Sequence, residues 1–452
     1  MTVRKNDLVT LEVENWASDG SGVARLDGMV VFVKGGLVGE TCKVRLETVH
    51  KTAAWGRVEE ILVSSPQRVE PDCPNYPQCG GCHLRHMSYE AELSMKRQRV
   101  EDALHRIGGQ TLPVSAIHGA KDCLRYRNKA QFPVAPGEAG PKIGFFRART
   151  HQVIDSTSCL LQKEEADNAA NAVRQWMKTC NVPAYEEKAH RGLIRHVYVR
   201  TNRAGESLIC ILANGEKLPS EKSLISRLRA ACPHAVGILV GVNTRKTNVI
   251  LGDRYRVLWG QDYLMDTLCG LSFRLSVPSF YQVNRDQAEV LYGKAVEFAG
   301  LTGTETVVDL YCGTGTISLV MAQHAGQVIG AEIVPEAIED AKENAQRNGL
   351  TNAEFICADA GQAAEELARR GLKPDVISVD PPRKGLSQEV ITAIGQMAPK
   401  RVVYVSCDPA TLARDVKLLE KEGYEMQEAQ AVDMFPRTNH VETIVLMSRV
   451  SK

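Results

Sequence analysis

Three stretches of this chain place reactive side chains directly after short apolar runs. A cysteine stands in Ser406-Cys407-Asp408-Pro409, an aspartate opens Asp380-Pro381-Pro382-Arg383-Lys384-Gly385, and Leu310-Tyr311-Cys312-Gly313-Thr314-Gly315-Thr316 is a glycine-rich turn. A thiolate can attack carbon and a carboxylate can move a proton. Glycine lets the backbone approach a ligand closely. Nineteen residues after Gly313, Glu332 closes the next apolar run, where an acid can accept hydrogen bonds from both ribose hydroxyls of a nucleoside. A second acid, Asp359, closes the third run, and no third glycine falls at dinucleotide spacing. That combination favours S-adenosylmethionine over NAD, and nothing in the chain supplies hydride chemistry. A single cysteine more often packs as a small hydrophobe than reacts. The place of Cys407 at the end of an apolar run, just before Asp408-Pro409, argues for reaction.

These residues need a scaffold that gathers them. From Thr306 onward apolar runs at Thr306 to Leu310, Gln327 to Ala331, Ala353 to Cys357, Asp375 to Val379 and Arg401 to Ser406 alternate with helical stretches, one opening at Pro335. The pattern is that of a doubly wound, Rossmann-like parallel sheet. Ligands of such sheets bind at the carboxyl edge, so Gly313, Glu332, Asp380 and Cys407 are expected in one crevice. Upstream, Leu8 to Leu62 reads as short strands broken by glycines, a small β-barrel pattern that fits either a generic barrel or an oligonucleotide-binding one. A charged amphipathic helix is expected over Tyr89 to Ile107, before Gly108-Gly109. Strand-like segments at Tyr126 to Val134, Lys142 to Asp155, Leu193 to Arg200, Leu208 to Leu212, Val236 to Val242 and Thr247 to Leu251, with a helix over Glu164 to Lys178, give a mixed α/β centre. The expected units are therefore 1–62, 63–279 and 280–452, an α/β chain with an N-terminal barrel.

At 452 residues, several domains are expected. The net charge of +1 hides a local excess, since Arg85 to His151 holds 12 Lys and Arg against 6 Asp and Glu, enough to attract a polyanion. No apolar run has spanning length and the N-terminus is charged, so a cytoplasmic location is expected. The 13 cysteines are scattered and odd in number, which argues against a disulfide framework. Cys73, Cys79 and Cys82, with Cys159 as a distant fourth, have spacing that suits zinc, an iron-sulfur cluster or free thiols equally.

Gly313-Thr-Gly-Thr, Asp380-Pro-Pro-Arg-Lys-Gly, Ser406-Cys407-Asp-Pro-Ala-Thr-Leu-Ala-Arg-Asp and His440-Val-Glu442, with Phe280-Tyr-Gln282-Val-Asn ahead of them, resemble the RNA uracil-C5 methyltransferase family. The resemblance implies cofactor contacts at Gln282, Tyr311, Glu332 and Asp380, a nucleophile at Cys407 and a general base at Glu442. It also explains the residue types. Uracil C5 is a poor nucleophile until a thiolate adds at C6, and a base must later remove the C5 proton. The barrel looks like a TRAM domain, found in the ribosomal RNA members, and the cysteine pattern resembles the four-iron cluster of members acting on 23S rRNA. Those likenesses imply a [4Fe-4S] cluster on Cys73, Cys79, Cys82 and Cys159 and a 23S rRNA substrate; a tRNA substrate, or a non-catalytic RNA-binding protein retaining the fold, are the alternatives. Tyr126-Arg127-Asn128-Lys129 and Gly144-Phe145-Phe146-Arg147 interleave aromatics and cations as stacking on unpaired bases requires. Arg127, Lys129 and Phe280 are the candidate RNA contacts.

Overall fold

The computed structural model describes residues 3–450. Five strands, β1 (Leu8–Trp16), β2 (Gly22–Leu26), β3 (Met29–Lys34), β4 (Thr41–Val49) and β5 (Ala53–Val63), close into a barrel in the order β1-β2-β3-β5-β4. Period-two alternation buries Leu11, Val13, Val31, Val33, Val44 and Leu46 inside it. Closure brings backbones close together, and glycine is needed where they meet. A Cβ on Gly56 would stand 2.6 Å from Val44 Cγ1.

Helix α1 (Tyr89–Arg106) starts at Ser88, whose hydroxyl accepts the Ala91 N–H. Strand β6 (Ala116–His118) follows. The central sheet contains β7 (Lys129–Ala135), β8 (Lys142–Phe146), β9 (Val153–Asp155), then, after α2 (Glu164–Thr179), β10 (Ile194–Thr201) and β11 (Ser207–Ala213), and, after α3 (Glu221–Ala231), β12 (Ala235–Val242) and β13 (Arg254–Gly260). Its order is β13-β12-β11-β10-β7-β8-β9, with α2 and α3 packed on one face around Trp176, Leu224 and Leu228. Two expected strands differ. Lys142 to Asp155 is split by a turn in which the Arg147 N–H donates to the Gln152 carbonyl. Thr247 to Leu251 is a loop, because its carbonyls are taken by side chains: Asn243 donates to Val249 and Ile250, and Arg195 donates to Thr247. The strand beside β12 is β13 instead.

A hairpin of β14 (Tyr263–Leu268) and β15 (Leu271–Ser276) leads to α4 (Arg285–Ala299), capped by Asn284. The C-terminal sheet then alternates as expected: β16 (Thr306–Asp309), α5 (Thr316–Ala322), β17 (Gln327–Glu332), α6 (Pro335–Arg347), β18 (Ala353–Cys357), α7 (Ala360–Arg369), β19 (Val376–Val379), α8 (Gln388–Met397), β20 (Arg401–Ser406), α9 (Pro409–Lys421), and the antiparallel pair β21 (Tyr424–Val432) and β22 (Glu442–Arg449). Its order, β18-β17-β16-β19-β20-β22-β21-β6, reverses direction between β16 and β19. Two stretches read from sequence as part of 63–279 belong by contact to this sheet. Helix α1 buries Val100 and Leu104 with Leu412 and Val416, β6 extends the sheet beside β21, and the hairpin packs Phe273 and Leu275 against the core around α4. A periodic pattern shows which face is apolar but not what will cover it. Among the described residues no helix is long and apolar enough to cross a membrane.

Candidate active site

The carboxyl ends of β16 to β20 open into one cleft of about 1630 Å³, bordered also by Phe280, Gln282, Phe435, His440 and Glu442. The turn after β16 enters it with Gly313 at φ 53 and Gly315 at φ 81. At Gly315 the positive φ disfavours any L side chain, and a Cβ would press on Ala341 Cβ at 3.1 Å and on the Phe355 ring at 3.2 Å. Glu332 is held by two backbone donors, Gly313 N–H at 3.3 Å and Val334 N–H at 3.0 Å, at the place expected for a ribose partner. Asp359 borders the cleft but already has a structural task. Its Oδ1 accepts the Gly361 N–H at 2.9 Å and caps α7.

Asp408 caps α9 by accepting the Ala410 and Thr411 N–H groups at 3.0 and 3.1 Å, with Pro409 at the first helical position. Cys407 is thereby held on a strand-to-helix turn at the sheet edge. In the β20–β22 ladder Ser406 pairs with Thr443, so one further step of register places Cys407 opposite Glu442. The electrostatics of the site follow from burial. Desolvation pushes Glu442 up to about 8, helped by Asp380, and Asp380 up to about 7, helped by Asp309. Burial also pushes the Cys407 thiol up to about 11, with Glu442 and Asp380 adding to the effect. Arg383 is the cation that opposes this at both Cys407 and Glu442. His440 is pushed down to about 4 by burial and by Arg383, so it is neutral at ordinary pH. Three carboxyl or thiol groups that favour their protonated forms thus face one cleft, with an arginine beside them.

The walls come from distant parts of the chain. Asn128 donates to the Gln282 carbonyl at 2.8 Å and receives the Thr201 N–H, joining the central sheet to the 280–284 segment. The Tyr126 hydroxyl donates to the Pro436 carbonyl at 3.0 Å. Tyr126 is buried and not available to stack on a base, contrary to the sequence expectation, whereas Phe145 is half-buried, packs on Phe132 and borders a cavity with Arg127 and Lys129. Arg127 borders the cleft, while Lys129 lies 5.9 Å over the exposed Phe280 ring and is pushed down to about 8 by burial. The sequence reading gives Arg383 and His83 no role in the site. Arg383 carried a signal, its place in Asp380-Pro-Pro-Arg; His83 carried none.

Cys73, Cys79, Cys82 and Cys159 border a second cavity of about 280 Å³, which Arg127 and Lys129 share. Cys79 Sγ accepts the Gly81 N–H at 3.4 Å and Cys82 Sγ accepts Arg85 Nε at 3.3 Å. Among the described residues no three His, Cys, Asp or Glu side chains gather as ligands of a metal ion.

A family profile described as tRNA (Uracil-5-)-methyltransferase matches residues 88–450. The chain belongs to this family. A TRAM domain profile matches residues 2–58, the barrel. An uncharacterized RNA methyltransferase of Halalkalibacterium halodurans is 47% identical over 98% of this chain and 98% of its own. Another, from Caldanaerobacter subterraneus, is 43% identical over 99% of each chain. The crystal structure of the Pyrococcus abyssi tRNA (uracil-54, C5)-methyltransferase with S-adenosyl-L-homocysteine is similar at TM-score 0.78 and 26% identity, covering 97% of this chain and 100% of that one. As a member of the uracil-5 methyltransferase family, the protein is an S-adenosylmethionine-dependent RNA methyltransferase with a TRAM barrel.

Proposed function

We propose that this methyltransferase modifies C5 of a uridine in 23S rRNA, with Cys407 as nucleophile and Glu442 as general base. The observation that supports the mechanism is that Cys407 and Glu442 border one cleft just beyond the last ladder pair, Ser406 with Thr443, close enough for the Glu442 charge to act on the Cys407 thiol. The Cys407 sulfur adds to C6 as its thiolate, and C5, now enolate-like, takes the methyl group from the sulfonium of S-adenosylmethionine, which leaves as the neutral sulfide. Glu442 then removes the C5 proton, the C6–S bond breaks, and the electron pair returns to sulfur. Gln282, Tyr311, Gly313, Glu332, Asp359 and Asp380 bind the cofactor in this reading. Arg383 favours the anionic forms of Cys407 and Glu442. A cofactor sulfonium held near Asp380 would act in the same direction. Arg127, Lys129 and Phe280 guide the RNA, whose target base must leave its stack to reach the cleft.

In this reading Cys73, Cys79, Cys82 and Cys159, which border the second cavity without gathering as metal ligands among the described residues, are the thiols that would hold a [4Fe-4S] cluster. N–H groups already point at two of the sulfurs, as second-shell donors to thiolate ligands do. When bound, the cluster would be held by the thiolates of the 73–82 loop and of Cys159 and would tie that loop to the central domain. The cluster pattern supports 23S rRNA. The barrel does not decide the substrate, because the tRNA enzyme from Pyrococcus abyssi aligns with too much of this chain to leave the barrel out. That similarity favours tRNA as the second reading. Base-resolution mapping of C5-methyluridine in cells lacking the gene separates them: loss of the mark from 23S rRNA is expected, and loss from tRNA alone would overturn the substrate assignment. Single-turnover transfer to RNA separates both from a non-catalytic binding protein.

A further inference from the structure

The outer surface of the barrel carries side chains that the methyl transfer does not use. Strand β3 pairs in parallel with β5, setting Phe32 beside Trp55 and Lys34 beside Arg57. Because Val31, Val33 and Ala54 fill the core, alternation turns all four of these outward. The Phe32 and Trp55 rings stack at 5.2 Å with an interplanar angle of 22°, and His50, from the β4–β5 turn, meets Trp55 edge-on at 5.5 Å. Trp55 nevertheless remains 42% exposed. Lys34 and Arg57 flank the rings; Arg57 has only loose contacts with Glu47 and Glu59, at 3.7 and 3.6 Å.

The barrel that carries this face is docked beside the cleft. The β1–β2 turn rests on the loop before Glu442, since a Cβ on Gly20 would be 2.7 Å from Leu84 Cδ2 and 3.9 Å from Asn439 Cβ. Leu37 and Trp16 of the barrel pack with Leu84, Met87 and Met95. Lys34 is near enough to His83 for its charge to disfavour protonation there, and His83 borders the cleft. An aromatic platform with a cationic rim, on a barrel docked beside the cleft, matches single-stranded nucleic acid, which has a π-face at every base and an anion at every step.

We propose that Trp55, Phe32 and His50 form a stacking site for an unpaired base of the substrate RNA, with Lys34 and Arg57 against its flanking phosphates. The proposal rests on the chain being an RNA methyltransferase but not on the covalent mechanism. The test is binding of a fluorescently labelled oligouridylate of about 16 nucleotides, the upper site size for one barrel of this type, to the full chain. Trp55→Ala should weaken binding about tenfold, the effect of losing one base stack. Trp55→Phe, which preserves a stacking ring and carries the test if the alanine variant folds poorly, should bind nearly normally while losing the quenching of tryptophan emission that accompanies binding. Lys34→Ala should reduce the salt slope of log affinity by about 0.7, as expected for one phosphate contact on a single strand. Unchanged affinity in Trp55→Ala, or quenching that persists in Trp55→Phe, would overturn the proposal. So would a concentration-dependent dimer, seen by sedimentation, that Trp55→Ala abolishes without changing RNA affinity. Binding through Trp55 by a protein that transfers no methyl group would instead refute the catalytic reading and leave this one standing.

Discussion

Replacing Lys96 by methionine should destabilise the catalytic domain severely, although Lys96 does not line the cleft. Its ammonium lies in the interior, 2.7 Å from Glu92 Oε1 and 2.6 Å from Asp433 Oδ1, and donates to the Phe435 carbonyl at 3.2 Å; all three charged side chains are wholly buried. Methionine fills nearly the same volume, so the cavity contribution is small. What remains is two carboxylates without their cation. Breaking a buried ion pair in this way costs about 3–5 kcal/mol. The Tyr89 hydroxyl, 2.7 Å from Asp433, and Arg437, 3.6 Å from Glu92, stay in place, so the low end, about 3 kcal/mol, is expected. With a urea dependence of about 2 kcal/mol/M, the unfolding midpoint should fall by about 1.5 M. Burial already holds the Glu92 carboxyl above its ordinary range. A folded-state pKa above the unfolded one means stability that is present at low pH and lost as pH rises through the folded value, so the variant should recover stability on acidification. Adding Glu92→Gln to Lys96→Met should restore part of the loss rather than add to it. A cost below about 1 kcal/mol, or simple additivity in the double variant, would refute the reasoning.

Turnover needs both the Glu442 carboxylate and the Cys407 thiolate, so it should rise through about pH 8 as Glu442 loses its proton and go on rising toward the Cys407 value of about 11, and a flat profile would contradict the assignment. Protein purified without oxygen should be brown, with iron and sulfide and broad absorption near about 400 nm; Cys79→Ser and Cys159→Ser should lose the iron, while stoichiometric zinc would exclude the cluster. Gly20→Ala adds a Cβ 2.7 Å from Leu84 Cδ2 at a residue with φ 85. It should cost about 1–3 kcal/mol by strain and overpacking, and an unchanged unfolding midpoint would show that the barrel is not docked as described.

Much of this site could be read from sequence because its parts are local. The motif Ser406-Cys407-Asp408-Pro409 fixes both a turn and a cap within four residues, and the alternation of strands and helices fixes the edge on which it and Asp380-Pro-Pro lie. Long-range partners were less legible. Tyr126 looked like a stacking residue because aromatics alternate with cations around it, yet its hydroxyl is tied to Pro436, more than 300 residues away. Helix α1 was recognised as amphipathic, but its place on the C-terminal sheet follows from Lys96 meeting Asp433, which no local pattern encodes. The Thr247 to Leu251 segment has strand-like composition, and only the side chains of Asn243 and Arg195 divert its carbonyls from a ladder.

The central claim, that Cys407 and Glu442 act at opposite ends of one covalent cycle, is tested most directly by trapping the intermediate. Glu442→Gln leaves addition and methyl transfer possible but removes the base, so the C5 proton stays and the sulfur cannot leave. On denaturing gels with labelled RNA and S-adenosylmethionine, Glu442→Gln should give a slowly migrating protein–RNA band, absent from Cys407→Ala and from the double variant. Normal turnover by Glu442→Gln, or a band that survives the loss of Cys407, would contradict the account.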